Sequence, residues 1–88
     1  MKRLQTIIAD DHKIFREGFK LVLSTLENIE IAGEASDGEA LLKMVDANPP
    51  DLIFMDIEMP KLDGIKSTQS ILERHTNIKI IALSTYLD

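Results

Sequence analysis

Three aspartates stand where short apolar runs stop: Asp10 and Asp11 after Leu4-Gln5-Thr6-Ile7-Ile8-Ala9, and Asp56 after Leu52-Ile53-Phe54-Met55. An acid that closes a buried strand sits on the rim where open parallel sheets bind their ligands. If the two strands are neighbours, all three carboxylates converge. Two unit charges ~4 Å apart repel by about 4 kcal/mol at an effective dielectric of ~20, so the cluster calls for a cation or for raised carboxyl pKa values. A hard divalent ion suits it. Mg2+ takes one or two carboxylates, keeps several waters and bridges to phosphoryl oxygens, which points to phosphate chemistry rather than a Ca2+ cage. A carboxylate beside such an ion can attack phosphorus and become an aspartyl phosphate. Asp56 is the candidate nucleophile, because it alone ends the most apolar strand. Ser84, after the last apolar run, would bring a hydroxyl to the same rim.

Each of these residues also has a plainer structural role open to it. Asp56 could close a turn, Asp11 could cap the following helix, and Ser84 could be an ordinary turn residue. His12 and His75, both helix-terminal, read as solvated or capping.

The elements that must position the acids follow from periodicity. Leu4 to Ala9 reads as a strand. From about His12 to Glu27 the row Ile14, Gly18, Leu21 lies beside the row Phe15, Phe19, Val22, Leu26, which makes an amphipathic helix. Ile29 to Glu34 alternates Ile29, Ile31 and Gly33 against Glu30, Ala32 and Glu34, the pattern of a half-exposed edge strand. Ser36-Asp37-Gly38-Glu39 has the form of a capping box opening a helix with Ala40, Leu41, Met44 and Val45 on one face. Asn48-Pro49-Pro50 ends that helix. After the Asp56 strand, Asp63 is placed to cap a helix along Ile65, Thr68, Ile71 and Leu72 to about His75, and Ile78 to Leu83 forms a fourth strand. Gly33-Glu34-Ala35-Ser36-Asp37-Gly38 has P-loop glycine spacing, but Glu39-Ala40 stands where Lys and Ser or Thr are required, so nucleotide binding is rejected.

Alternating strands and helices imply an α/β fold with a parallel sheet and right-handed crossovers. With the two apolar strands adjacent, the expected order is 2-1-3-4, and the crevice lies between strands one and three.

The chain has 88 residues, 44% hydrophobic, with no cysteine or tryptophan, a formal net charge of -5 and a pI near 4.9. One small domain with a core but little reserve is expected. Disulfides and thiolate metal sites are impossible without cysteine. The acidic balance argues against this segment binding nucleic acid or an anionic membrane. No apolar run approaches the ~18 residues of a membrane span, and Met1-Lys2-Arg3 leads into a strand-like segment rather than a signal peptide. A cytoplasmic location is the expectation.

With Asp10-Asp11, Asp56, Met59-Pro60, Asp63-Gly64 and Ser84 placed, the sequence resembles the receiver domain of a bacterial two-component response regulator, with a flavodoxin-like (CheY-like) fold. Ile8-Ala9-Asp10-Asp11-His12, Arg16-Glu17-Gly18 and Gly33-Glu34-Ala35-Ser36-Asp37-Gly38 are similar to the NarL/FixJ (LuxR-type) subfamily. The resemblance implies that Asp56 takes a phosphoryl group from a sensor histidine kinase in a Mg2+-dependent reaction. It implies that Asp11, Asp56 and the backbone carbonyl of Glu58 ligate the ion, with Asp10 acting through water, and that Ser84 is the switch hydroxyl. Glu58 and Tyr86 occupy positions that tune the lifetime of the phosphate. In a full-length protein such a switch controls transcription.

The resemblance covers residues 1–88 as a single receiver that stops early. The family runs on through a further helix, a strand ending in a phosphate-binding lysine and a last helix, and no Lys follows Ser84 here. A DNA-binding output domain is likewise absent from this chain, and DNA contact is expected only through one. The fourth strand then becomes an apolar edge, and part of the first helix lacks its helical neighbour, so self-association through that strand is expected. Two alternatives remain: a non-switching receiver fragment held in an oligomer, and a haloacid-dehalogenase-like phosphotransferase, suggested by Asp56-Ile57-Glu58. The second lacks the Asp that such enzymes carry where Glu58 stands.

Overall fold

Along residues 3–57 and 64–83, which the computed structural model of the chain describes, seven elements alternate in type. They are β1 (Leu4–Ala9), α1 (Lys13–Ser24), β2 (Ile29–Ala35), α2 (Gly38–Ala47), β3 (Leu52–Asp56), α3 (Gly64–Arg74) and β4 (Lys79–Leu83). The four strands form a parallel sheet in the order β2-β1-β3-β4, as expected from the apolar character of the first and third.

The pairing register divides the side chains between two faces. Ile7, Ala9, Ile53 and Met55 point towards α2 and α3, where they pack with Leu41, Val45 and Ile71 in a core closed to solvent. Ile8, Leu52 and half-buried Phe54 point the other way, against Leu23 and Phe19 of α1. Each of these fully buried aliphatic side chains is worth about 1.5–3 kcal/mol relative to exposure. The two layers cover β1 and β3 from opposite sides, so the strands that carry the acids are the central, buried ones of the sheet.

Asp51, just before β3, fixes the opposite end. Its carboxylate accepts from the Gln5 N–H at 2.8 Å, its own N–H donates to the Gln5 carbonyl at 2.8 Å, and its carbonyl accepts from the Lys79 N–H at 3.1 Å. One residue thereby sets the stagger of three strands.

Several local expectations are corrected. Asp37, not Ser36, caps α2: its carboxylate accepts from the Ala40 N–H at 2.8 Å. A charged carboxylate is the stronger acceptor at a helix N-terminus, and the one-residue shift moves Glu39 out of the position from which a capping box closes. Asp11 does not cap α1 either. His12 holds the N-cap position without a side-chain cap, and its N–H is taken by Asp10 at 2.7 Å.

The apolar rows of α1 prove wider than its contact with the sheet. Leu23 is its buried residue and Phe19 is half-buried, whereas Ile14, Leu21 and Val22 are 89%, 72% and 61% exposed. Among the described residues only the side of α1 turned to the sheet, against Ile8, Ile29, Leu52 and Phe54, meets a partner, and the rest of its stripe is exposed. In α3, Ile71 is buried but Leu72 is exposed, and the side chain of Ile65 and the proposed cap Asp63 lie outside the described residues.

The alternation read for β2 also breaks. Thr6 pairs with Ile31 but Ile7 with Gly33, so Ala32 is left out of the ladder. Beyond that irregularity the side chains change faces. Gly33 and Ala35 join the α2 side, where a Cβ on Gly33 would lie 3.5 Å from the Met44 sulfur, and Glu34 turns towards α1.

Candidate functional site

The register Ile8↔Phe54 and Ala9↔Met55, carried one residue further, sets Asp10 beside Asp56 on the α1 side of the sheet. Both are completely buried, while Asp11 is exposed on the rim. The convergence anticipated from sequence is therefore realised: Asp10, Asp11, His12 and Asp56 each offer a ligand atom, all within 4.8 Å of one another.

His12 is half-solvated at the α1 N-cap position, as its sequence suggests, and it also faces the acids. Its ring Nδ1 lies 3.0 Å from Asp10 Oδ1, 3.2 Å from Asp11 Oδ1 and 3.6 Å from Asp56 Oδ2. The hydrogen bond with Asp10, followed by the charge of Asp11, raises its pKa above the usual 6.5. Its place directly after two acids was the one signal that could have marked it.

Arg16, which belongs to the Arg16-Glu17-Gly18 stretch of the family resemblance, reaches the site from α1. Its Nη1 donates to the Asp10 carbonyl at 2.5 Å and its Nε to Glu34 Oε1 at 3.0 Å. Lys20 donates to the other oxygen of Glu34 at 2.9 Å and lies 3.3 Å from Glu17. The Lys20 hydrogen bond first, and the Arg16 one after it, hold the Glu34 carboxyl below its ordinary value. This chain of charges ties the backbone of Asp10 to α1 and β2. Nothing in the spacing of Arg16 and Glu34 announces it, because the two meet only once β2 has changed faces.

His75 belongs to a separate pair: Asp46 on α2 accepts from Arg74 at 2.6 Å and lies 3.1 Å from His75 Nε2, bridging the ends of α2 and α3 far from the acids. A groove of about 420 Å³ lined by Pro50, Asp51, Arg74 and His75, among others, opens at that same remote end and carries no part of the acidic chemistry.

The residues present fit a hard dication. Asp10 Oδ2 is buried with no hydrogen-bond partner among the described residues, a costly arrangement for a carboxylate oxygen unless a cation faces it. The donors are carboxylate oxygens with one imidazole, and Asp11 leaves the rim open to solvent. Glu58, Ser84 and Tyr86 lie outside the described residues.

Residues 6–88 match the response regulator receiver domain, and the chain belongs to that family. Its relatives are regulators of the NarL/FixJ type. It is 37% identical to the transcriptional regulatory protein DegU of Brevibacillus brevis, over 98% of this chain and 36% of that protein. With YdfI of Bacillus subtilis it shares 39% over 93% of the chain and 38% of the relative, and with the response regulator UvrY of Escherichia coli 33% over 97% and 39%. The chain thus spans less than half the length of these curated relatives.

Among solved structures, the signal receiver domain of the putative response regulator NarL from Mycobacterium tuberculosis superposes with a TM-score of 0.91 at 28% identity, covering 100% of this chain and 71% of that one. The isolated receiver domain of RcsB from Salmonella enterica, solved with the phosphomimetic BeF3-, gives 0.89 at 29%, covering 99% and 65%. Membership in this family makes the chain a signalling domain of two-component systems and leaves the dehalogenase-like alternative without support.

Proposed function

We propose that Asp56 is the phosphoacceptor of a two-component switch and takes its phosphoryl group from a sensor histidine kinase. The observation that carries this reading is the convergence of Asp10, Asp11 and Asp56 at the carboxyl ends of adjacent strands. In the transfer, a carboxylate oxygen of Asp56 bonds to phosphorus as the P–N bond to the kinase imidazole breaks. The imidazole leaves with the electron pair and takes a proton, and Asp56 is left as a mixed carboxylic-phosphoric anhydride.

Asp11, Asp56 and the Glu58 carbonyl would hold Mg2+, with Asp10 acting through water. When bound, the ion supplies the positive charge that offsets the phosphoryl oxygens. The protein's own share is positional: burial fixes Asp56, and Arg16 fixes the backbone of Asp10. Ser84 follows Leu83, the β4 residue paired with Asp56, so the register supports its role as the switch hydroxyl. In this reading the domain works in the cytoplasm, reaches DNA only through an output domain outside this chain, and controls transcription as part of a longer protein.

Self-association through β4 belongs to the same reading. Among the described strands β4 forms an edge, and its Ile81 is 45% exposed. Sedimentation as a monodisperse monomer at tens of micromolar would remove this part of the proposal.

The phosphoacceptor is tested by incubating the chain with acetyl phosphate and Mg2+ and weighing the intact protein. One added phosphoryl group that depends on Mg2+ and is lost in Asp56→Asn is the expected result. A folded chain that acquires none refutes phosphorylation of this chain and favours a non-switching receiver.

A further inference from the structure

We propose that Arg16 is a positioning residue for phosphoryl acceptance: braced on Glu34, its guanidinium fixes the peptide between Asp10 and Asp11 and thereby sets how Asp11 addresses a cation. The proposal rests on the Asp56 phosphoacceptor reading and adds to it two residues that lie outside the cluster of acids.

Asp11 is the acid whose position needs an anchor. Asp10 and Asp56 are wholly buried and belong to strands that the sheet holds in step, whereas Asp11 is exposed and lies past the end of β1 at Ala9. Its direction follows from the peptide unit that precedes it. That unit is held at the Asp10 carbonyl, which accepts from Arg16 Nη1 at 2.5 Å. Asp10 is tied on its other side as well, its N–H donating to the Ala35 carbonyl at 2.9 Å and its Oδ1 accepting from the His12 N–H at 2.7 Å. Because the peptide is planar, a carbonyl turned away from Arg16 would carry the Asp11 nitrogen and Cα round with it.

A guanidinium this close to three carboxylates would be drawn onto them by charge alone, and would then stand where a cation belongs. Glu34 opposes this. Its Oε1 accepts from Arg16 Nε at 3.0 Å and its Oε2 from Lys20 at 2.9 Å, so the fork of Arg16 is anchored from β2 with Nη1 turned to the Asp10 backbone. Such charge-assisted bonds are about twice as strong as neutral ones, and the planar fork gives them direction. Asp10 Oδ2 correspondingly keeps no hydrogen-bond partner among the described residues.

The same role accounts for the irregularity in β2. With Ala32 outside the β1–β2 ladder, Glu34 falls on the α1 face; in an unbroken ladder it would fall on the α2 face, out of reach of Arg16. Bulges re-aim side chains in this way beside active sites. Arg16 is itself set by the first turn of α1, where its N–H donates to the His12 carbonyl at 2.9 Å. Three elements, β1, β2 and α1, thus meet at one peptide.

The test uses the 88-residue chain and reads Mg2+ binding by calorimetry, apart from phosphorylation by acetyl phosphate. Arg16→Met, which keeps an apolar stem and removes the donors, should lower Mg2+ affinity by about tenfold. Glu34→Gln, at a partly exposed position, should lower it by more than about twofold, and both variants should slow the labelling of Asp56 at limiting Mg2+. In the metal-free protein both should move the NMR resonance of the Asp11 amide nitrogen, which reports the hydrogen bond at the Asp10 carbonyl. Leu23→Ala separates positioning from general loosening: it removes a buried side chain about two turns along α1 and should leave the Mg2+ affinity of the folded chain unchanged. An affinity within about twofold of the parent in either Arg16→Met or Glu34→Gln overturns the proposal, as does an equal loss in Leu23→Ala. With the parent still phosphorylated, the Asp56 reading then stands alone. Where Arg16→Met does not fold, Glu34→Gln decides. If the unsubstituted chain binds Mg2+ but is not phosphorylated, the Asp56 reading falls and the affinities still decide the positioning role. If it binds no Mg2+, both fall.

Discussion

Asp10 and Asp56 occupy the same level of two neighbouring parallel strands, because the pairing Ala9↔Met55 places the next residue of each strand side by side on the face that α1 covers. Both are wholly buried. Two like charges so placed oppose folding unless a cation joins them, and the first prediction follows from that.

Mg2+ should stabilise the chain by mass action, by about 2.7 kcal/mol at a concentration 100 times the dissociation constant. Asp11→Asn and Asp56→Asn should each lose most of this gain, and Asp56→Asn should be the more stable protein in chelator, where the repulsion is unrelieved. Thermal melts with and without Mg2+ decide the matter. Equal Mg2+ stabilisation in the variants would place the ion elsewhere.

Arg16 is mostly buried and spends its guanidinium on the Asp10 carbonyl and on Glu34. Arg16→Ala leaves both acceptors short of a donor and should cost about 2–3 kcal/mol in urea denaturation. Arg16→Lys should recover only part of this, since a single ammonium cannot reproduce the forked contact. A loss below about 0.5 kcal/mol would show that the network is dispensable.

The two faces of α1 should respond unequally to truncation. Leu23→Ala should cost about 2–4 kcal/mol, because Leu23 is packed against Ile8 and Leu52, whereas Ile14→Ala and Leu21→Ala should stay within about 0.5 kcal/mol of the parent. Larger losses at Ile14 or Leu21, measured at low protein concentration, would mean that this stripe is covered in the monomer after all.

Acid should weaken the fold through two carboxylates. Glu34 is held below its ordinary 4.5 by Lys20 and then Arg16, and Asp46 below its ordinary 3.8 by His75 and then Arg74. A carboxyl depressed in the folded state binds fewer protons there than in the unfolded chain. Its contribution is present above the unfolded value and drains away as the pH falls through the lower, folded one. Stability should therefore decline below about pH 4.5, and Glu34→Gln should flatten the upper part of that decline. An unchanged profile in Glu34→Gln would assign the acid sensitivity to other groups.

Much of this architecture was legible in the residues. The apolar runs before Asp10 and Asp56 are too short for helices and too hydrophobic for edge strands, which forces them into the middle of a parallel sheet, and the periodicity between them leaves only helices as crossovers. Strand order, the face of α2 and the meeting of the three acids follow from that pattern, since burial is a property of side-chain chemistry and spacing alone.

What only the tertiary structure decided depends on register and on the reach of particular side chains. The omission of Ala32 from the β1–β2 ladder reverses the faces of Gly33, Glu34 and Ala35, and a period-two reading has no means of detecting an unpaired residue. That reversal brings Glu34 to Arg16 and Lys20, and Arg16 to the carbonyl of Asp10. The same holds for His12, whose imidazole meets Asp56 only because β1 and β3 are adjacent and in step. Hydrophobic pattern selects which strands are central; hydrogen-bond register, which carries no local signature, selects which charges touch.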